Sequence, residues 1–244
     1  MKKGQISLFI IVGIIIVVVV AIFIFVKKES LGFEKEKIDP DIQPIYDFVE
    51  GCIKETGEYG IYHIGQTGGY FISPDLSTEA GTAIYSDKGQ NHMPSKEKVE
   101  SELSSYIEDM IELCTGDFQD FPSFQVTSYN KTVETNIEDN QVIFDVEYPV
   151  SISKGEKTYT FKEFQEVEVV VRLGVVYNSI YEFIQDQITH EEDICVTCIT
   201  DIAEKNDLYF EMLDYDEETV LFNIRDKNSK ILDKEYVFKF ANKY

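Results

Sequence analysis

The stretch from Val142 to Phe161, VIFDVEYPVSISKGEKTYTF, decides the fold class of this chain. Its first part is rich in Val, Ile and Tyr with partial apolar alternation, which is typical of a β-strand with one buried face. The triplet Lys154-Gly155-Glu156 predicts a turn, and Thr158 to Phe161 predicts the returning strand. An antiparallel hairpin is therefore expected at the centre of the sequence.

Strand-like segments continue on both sides of this hairpin. Phe124 to Thr135 precedes it, and Glu166 to Arg172 follows it with Val at alternate positions. A turn is expected at Asp226 to Ser229 because Asp, Asn and Ser favour turns. The remaining predicted strands are Tyr70 to Ser73, Thr82 to Ser86, Tyr209 to Leu213, Val220 to Arg225 and Glu235 to Phe240.

Helical periodicity marks four other segments. The clearest runs from Ser95 to Cys114, with one apolar stripe, Pro94 before it and Gly116 after it. A second runs from Asp41 to Gln66, with a stop at Gly68-Gly69. The other two are Val175 to Ile188 and Ile194 to Ala203. Helices and antiparallel strands in separate blocks predict an α+β domain.

Three glycines lie inside the Asp41 to Gln66 segment. Gly51, Gly57 and Gly60 each cost about 1 kcal/mol relative to Ala in a helix. Two explanations follow: either the helix breaks near Thr56, or other groups pack closely against the glycines.

Charge and hydrophobicity are segregated along the chain. Ile6 to Val26 is a 21-residue apolar segment without a charged residue, and all 45 acidic residues lie beyond Lys28. A helix of this length spans about 30 Å, the thickness of a bilayer's hydrocarbon core. We therefore expect residues 1–4 to form a short basic leader, 5–26 a transmembrane helix, 27–40 a juxtamembrane linker and 41–244 an acidic α+β ectodomain.

The acidic charge excludes one class of partner. Beyond residue 28 the chain has 18 basic against 45 acidic side chains, with Arg172 and Arg225 as its only arginines. Nucleic-acid binding depends on Lys and Arg replacing counterions, so no nucleic-acid partner is expected. Contact with the lipid bilayer is expected through Ile6 to Val26, and self-association or a surface protein is the remaining partner class.

Two weak signals predict the orientation of the apolar segment across the membrane. Lys2 and Lys3 balance Lys27 and Lys28 across the apolar segment, and the α-amino group favours a cytoplasmic N-terminus. Asn130-Lys131-Thr132 is a glycosylation acceptor pattern, which matters only for a domain outside the cell. The expectation is a single-pass cell-membrane protein with an extracellular C-terminal domain.

The N-terminus carries a resemblance to a known family. Met1-Lys2-Lys3-Gly4-Gln5-Ile6-Ser7, followed by the apolar segment, resembles the prepilin-type leader of archaeal type IV pilin-like proteins. The resemblance implies cleavage between Gly4 and Gln5 and packing of the freed apolar helix into a filament core. Gly32, Asp39-Pro40 and Pro44 disfavour the long continuous helix of pilins, so a pilin subunit and a static anchor both stay open.

The whole chain is also similar to a group of uncharacterised archaeal single-span surface proteins with an acidic domain of this size. That group carries no activity to transfer. The segments behind this likeness are Val49 to Cys52, Gly65 to Tyr70, Cys195 to Cys198 and Phe238 to Asn242.

The four cysteines are the sharpest chemical feature. An even number outside the cytoplasm favours two disulfides. Three pairings are possible; Cys52 and Cys114 both lie on apolar helix stripes, which favours pairing them with each other, and the alternative for both is a small buried thiol. Cys195 and Cys198, with Asp193 as the expected helix cap, fit a structural disulfide, a redox dithiol or metal ligands. Neighbouring acidic residues and the absence of a preceding strand disfavour the redox role.

Other candidate sites have simpler explanations. A zinc site would need His190, His63 or further cysteines at spacings that match no standard pattern, and His92 completes the histidines. Asp214 to Glu218 could bind calcium, but a solvated turn fits its spacing better. Surface tyrosines could form a contact face, and core packing explains most of them equally well; the candidates are Tyr59, Tyr62, Tyr70 and Tyr85.

These observations predict a non-enzymatic, membrane-anchored cell-surface protein acting in adhesion, envelope structure or pilin-like filament assembly, without a cofactor or metal. One alternative is a membrane-tethered thiol-disulfide oxidoreductase using Cys195 and Cys198. Another is an extracellular sensor or ligand-binding module, for which the sequence offers no residues.

Overall fold

The computed structural model describes residues 38–189 and 193–244, and Ile42 to Tyr244 forms one unit. The expected leader, transmembrane helix and most of the linker lie outside the described residues. Within the described ranges no helix is both long and apolar enough to cross a membrane.

The described elements, in chain order, are α1 Gln43–Thr67, β1 Ile84–Asp87, β2 Gln90–Asn91, α2 Lys96–Thr115, β3 Gln125–Ser128, β4 Thr132–Ile137, β5 Gln141–Lys154, β6 Lys157–Val170, α3 Leu173–Gln187, α4 Val196–Asn206, β7 Tyr209–Asp214, β8 Thr219–Ile231 and β9 Lys234–Lys243.

The strands form two sheets in this part of the chain. In the central sheet β5 pairs with β6 on one side and with β3 and β4 on the other, antiparallel throughout. The terminal sheet has the order β2-β1-β9-β8-β7, in which β1 and β9 are parallel. The α+β class is thereby confirmed, with antiparallel sheets and several helices. One parallel pair is the departure from an all-antiparallel meander.

The central hairpin is longer than its sequence pattern predicts. The turn at Gly155 is confirmed, with a positive φ of 63° at this glycine. Thr158 to Phe161 and Glu166 to Arg172, expected as separate strands, belong to the single strand β6, apart from the last two residues. The register between β5 and β6 shifts twice, and Glu166 has a positive φ, so irregular positions interrupt the alternation without ending the strand.

The turn expected at Asp226 to Ser229 is wrong. β8 continues to Ile231, and the reversal occurs at Leu232 and Asp233, which both have positive φ. Asp226 is fully buried and its Oδ1 accepts a hydrogen bond from Arg172 Nη1 at 2.9 Å. Residues 226–229 therefore form an irregularity inside the strand, because a distant arginine and Ser229 bond this carboxylate.

The glycines of α1 allow close packing over an unbroken helix. A Cβ at Gly57 would lie 2.5 Å from the Phe144 ring, and one at Gly60 would lie 2.9 Å from the Tyr106 ring. Near the end of the helix, a Cβ at Gly65 would lie 2.7 Å from the Val237 carbonyl oxygen. The first part of α1 thus packs on the central sheet and its last part on the terminal sheet, whereas Gly51 faces open space.

Both clear helices end as predicted. α2 begins after Ser95, whose side chain accepts the Lys98 N–H, and it ends at the left-handed Gly116. α1 has Pro44 in its first turn and ends at the left-handed Gly68.

The segment Tyr70 to Ser73, expected as a strand, is a loop. The Phe71 N–H donates to Glu102 Oε2 of α2 at 2.7 Å, and its carbonyl bonds to the His63 ring at 2.8 Å. Side chains therefore satisfy the backbone groups that a strand would need for a ladder.

Carboxylates of α2 close one edge of the central sheet. Glu108 accepts the Val133 N–H and Glu100 accepts the Ile137 N–H, both at 2.9 Å. Between them, Ser104 bonds to Thr135 at 2.8 Å. Four residues of helix rise about 6 Å and two residues of strand about 6.6 Å, so the antiparallel α2 and β4 stay in step. We call this series the carboxylate ladder.

Candidate functional site

Cys195 and Cys198 form a disulfide at the start of α4, with Cα atoms 5.3 Å apart. Cys195 is the helix N-cap, and its Sγ accepts the Cys198 N–H at 3.3 Å. Both cysteines are half-buried, and Val196 between them is more than half exposed. The pair is therefore held by local helix geometry and remains within reach of solvent.

The expectation that Asp193 caps α4 is wrong. Cys195 occupies the cap position, while the Asp193 carbonyl accepts a hydrogen bond from Gln187 Nε2 at 3.0 Å. Residue 195 can cap because its sulfur accepts the N–H that an aspartate oxygen would otherwise take.

The surroundings of this disulfide divide into favourable and unfavourable groups for a thiolate. A helix N-terminus stabilises negative charge on a capping sulfur. Exposed Asp193 and Asp201 lie nearby in sequence and oppose that charge. Within the described residues, the only other polar contact to either sulfur comes from Thr197 Oγ1, at 3.6 Å from Cys195 Sγ. The site therefore combines one supporting dipole with acidic neighbours.

The second disulfide has a structural setting. Cys52 of α1 and Cys114 of α2 are bonded as expected, with Cα atoms 5.6 Å apart. Cys52 is buried on the face of α1 that packs in the core, and 62 positions separate the two cysteines. This bond fastens the two long helices together and leaves no free cysteine among the described residues.

The histidines do not assemble a metal site in the described ranges. His63 packs against the rings of Phe71 and Tyr106, and His92 is exposed. His190 lies outside the described residues. No group of three or more His, Cys, Asp or Glu side chains within residues 38–189 and 193–244 has metal-binding geometry.

The acidic segment Asp214 to Glu218 consists of the last residue of β7 and the loop that leads to β8. Together with Thr219, Val220 and Tyr244 it lines an open depression of about 640 Å³. Asp216 accepts the Glu218 N–H at 3.0 Å, and this backbone bond lowers the pKa of the Asp216 carboxyl. The carboxylate thus stabilises its own turn, which is the role expected for a solvated loop.

The predicted tyrosine face is only partly present. Tyr59 and Tyr62 are exposed on α1, and Tyr70 is half-buried. Tyr85 is fully buried, stacks on Phe240 and donates its hydroxyl hydrogen to the Gly68 carbonyl. Of the two explanations for Tyr85, a contact face and core packing, the structure supports core packing, because β1 directs this side chain into the core.

A different exposed apolar set lies on β7. Tyr209, Met212 and Leu213 are 46%, 41% and 45% exposed, respectively. The sequence predicts this segment as a strand but gives no signal that it lies at a sheet edge, because edge position depends on pairing with distant strands.

The remaining predicted positions fall into two groups. Asn130 is exposed in the connection between β3 and β4, so the acceptor triplet is accessible. The leader positions Gly4 and Gln5 lie outside the described residues. Compared with known proteins, the chain matches no family model, no curated protein and no solved structure.

Proposed function

We propose that this chain is a single-pass, membrane-anchored cell-surface protein whose residues 41–244 act outside the cytoplasm. The observation that carries the proposal is the presence of two disulfides in the folded domain, Cys52–Cys114 and Cys195–Cys198. Disulfides persist in oxidising compartments and are rare in the cytosol. The 21-residue apolar segment Ile6 to Val26 supplies the anchor in this proposal.

The domain acts by contact and not by catalysis in this proposal. The acidic charge, the exposed tyrosines of α1 and the exposed strand β7 support a role in adhesion, envelope structure or a pilin-like assembly. Contiguous exposed apolar patches rimmed by polar residues mark interaction sites, and in this proposal the exposed side chains of α1 and β7 form such patches.

Topology is the direct test. Intact cells expressing the chain are treated with protease and, separately, with a membrane-impermeant maleimide after mild reduction. Degradation of residues 41–244 and labelling of Cys195 and Cys198 on intact cells are the expected results. Protection of the domain until the cells are lysed would refute the proposed location. A cytoplasmic protein with a known free cysteine serves as the control for membrane integrity.

The intact, unreduced mass of the membrane-purified chain tests the assembly role. A mass that lacks residues 1–4, leaving Gln5 as the first residue, would support a pilin-like subunit. An intact leader would favour a static anchor that serves adhesion or envelope structure.

The Cys195–Cys198 disulfide supports a second candidate, a thiol-disulfide oxidoreductase, because it is half-buried at a helix start. A substrate thiolate would attack one sulfur, break the bond and form a mixed disulfide. A second substrate thiolate would then release the pair as a dithiol and leave the substrate oxidised.

The matching assay is oxidation of a reduced dithiol peptide by the full chain in detergent micelles. The double variant C195S/C198S should lose this activity, and C52S/C114S should retain it. An unaltered chain that does not oxidise one equivalent of the peptide would exclude this candidate.

A further inference from the structure

β7 leaves one long edge of the terminal sheet unpaired in the described part of the chain. All six residues from Tyr209 to Asp214 pair with β8 in continuous register, and no described strand lies on the other side. A strand edge of this kind presents N–H and C=O groups that another strand can bind.

Two hydrogen bonds show which backbone groups point outward. Tyr215 donates its N–H to the Thr219 carbonyl of β8, and Tyr244, which follows β9, donates its N–H to the carbonyl of Glu218, which precedes β8. Backbone groups alternate in direction along an antiparallel strand. The groups of Tyr209, Glu211 and Leu213 therefore face β8, and those of Phe210, Met212 and Asp214 face away. We call these three residues the open edge.

The other edges are blocked by recognisable means. β2 has two residues and β3 has four, and the β4 edge is occupied by the carboxylate ladder. β6 carries several charged residues, shifts its register against β5 twice and has a left-handed residue at Glu166. β7 contains no Lys, Arg, Pro or bulge, and its only charged residues are Glu211 and Asp214.

We propose that the open edge binds a second copy of this chain, with the two β7 strands antiparallel about a two-fold axis at Met212. In this register Met212 lies opposite its own copy, and Phe210 lies opposite Asp214 of the partner subunit. Every N–H and C=O of both open edges then has a partner.

Side-chain chemistry selects the same register. Glu211 comes to lie beside Leu213 of the partner subunit, and Tyr209 beside Tyr215 of the partner subunit, which is a favourable aromatic pair. A shift that centred the axis on Glu211 would place two carboxylates opposite each other and leave Asp214 unpaired. A shift that centred it on Leu213 would leave Phe210 without a strand partner.

The charges at the two ends of β7 favour antiparallel over parallel addition. Arg225 and Lys227 lie over the Tyr209 ring at 5.1 and 5.2 Å, and each also pairs with one carboxylate. The other end carries the acidic loop from Asp214 to Glu218. Antiparallel pairing brings each acidic loop beside the other copy's cations. Parallel pairing would bring two acidic loops together.

The first experiment measures the mass of the full chain in detergent micelles by sedimentation. A dimer is expected, and M212K should raise its dissociation constant by about tenfold or more, because two lysines would meet at the axis. Y181K, at a similarly exposed position on α3, is the matched control and should leave the dimer intact. A monomeric unaltered chain, or a dimer that M212K does not weaken, would overturn the proposal.

Cysteine cross-linking tests the register. Chains with E211C and chains with L213C are mixed and oxidised mildly. In the proposed register these two positions form a non-hydrogen-bonded pair, whose Cα atoms lie about 4.5 Å apart, within reach of a disulfide. Cross-linked dimers should form in the mixture and not with either variant alone. Efficient cross-linking of E211C with itself would refute the register. Because this result depends on the domain surface alone, it stands or falls separately from the proposed membrane location.

Discussion

Removal of either carboxylate in the carboxylate ladder is expected to destabilise the domain by about 2 kcal/mol. Glu100 and Glu108 each accept a backbone N–H of β4, from Ile137 and Val133, residues that are nearly fully buried. A hydrogen bond to a charged group contributes about 1.5–3 kcal/mol, and an Ala leaves the N–H without a protein acceptor in this part-buried setting.

Double and conservative variants test whether the two carboxylates stabilise the domain independently and how much of each contribution depends on charge. Glu100 and Glu108 lie eight residues apart on α2, about 12 Å along the axis, so their effects should add to about 4 kcal/mol in E100A/E108A. Gln keeps an acceptor oxygen but loses the charge, so E100Q and E108Q should each cost about 1 kcal/mol.

Urea unfolding of the full chain in detergent micelles, followed by far-UV circular dichroism, measures these differences. With a slope of about 2.5 kcal/mol per M, a loss of 2 kcal/mol moves the midpoint by about 0.8 M. E112A is the control, because its exposed pairing with Lys131 should contribute less than about 0.5 kcal/mol. If E100A and E108A move the midpoint no more than E112A does, the ladder does not stabilise the strand edge.

Three further outcomes follow from the fold. G51A should stabilise the domain by about 0.5–1 kcal/mol, because this glycine of α1 faces open space. G65A should destabilise the domain, because a Cβ would lie 2.7 Å from a carbonyl oxygen of β9. Thermal melting compares the two variants. C52A/C114A should lose about 4 kcal/mol of stability in urea, since the bond closes a loop with a sequence separation of 62. Burial raises the pKa of Tyr177 from 10.0 to about 12, so the unfolded chain loses this proton at lower pH than the folded chain does. The urea midpoint should therefore fall as the pH rises from 10 to 12, and it should fall less steeply in Y177F.

Local sequence patterns predicted the elements whose determinants are local. α2 was predicted with its limits because its apolar stripe, its Ser95 cap and its Gly116 stop are all encoded within the helix and its neighbours. Cys52 and Cys114 could be paired because both lie on apolar stripes of helices that a small domain must pack together.

Features that depend on distant residues escaped the same reasoning. Asp226 to Ser229 has the composition of a turn. The strand continues through it because Arg172 donates a hydrogen bond to Asp226, and these two residues are 54 positions apart in the sequence. Glu100 and Glu108 resemble the solvated face of a helix until β4 is placed beside them.

The candidate sites show the same division. The spacing of Cys195 and Cys198 predicts a bonded pair, which the structure contains. The sequence does not show that Cys195, and not Asp193, caps α4, because this depends on where the Cys195 sulfur lies relative to the Cys198 N–H. The open edge has no local signature, because a strand becomes an edge only when the order of the whole sheet is known.

The carboxylate ladder has a consequence for the size of any assembly built from these sheets. A helix that already fills the β4 edge cannot be displaced by an incoming strand without giving up its own contacts. In the proposed dimer, a contact made twice about a two-fold axis uses the β7 edge of both partners. Growth through β7 alone stops at a pair and leaves no free β7 edge for a third molecule. A longer array would have to form along another direction, through a surface other than β7 and the covered β4 edge.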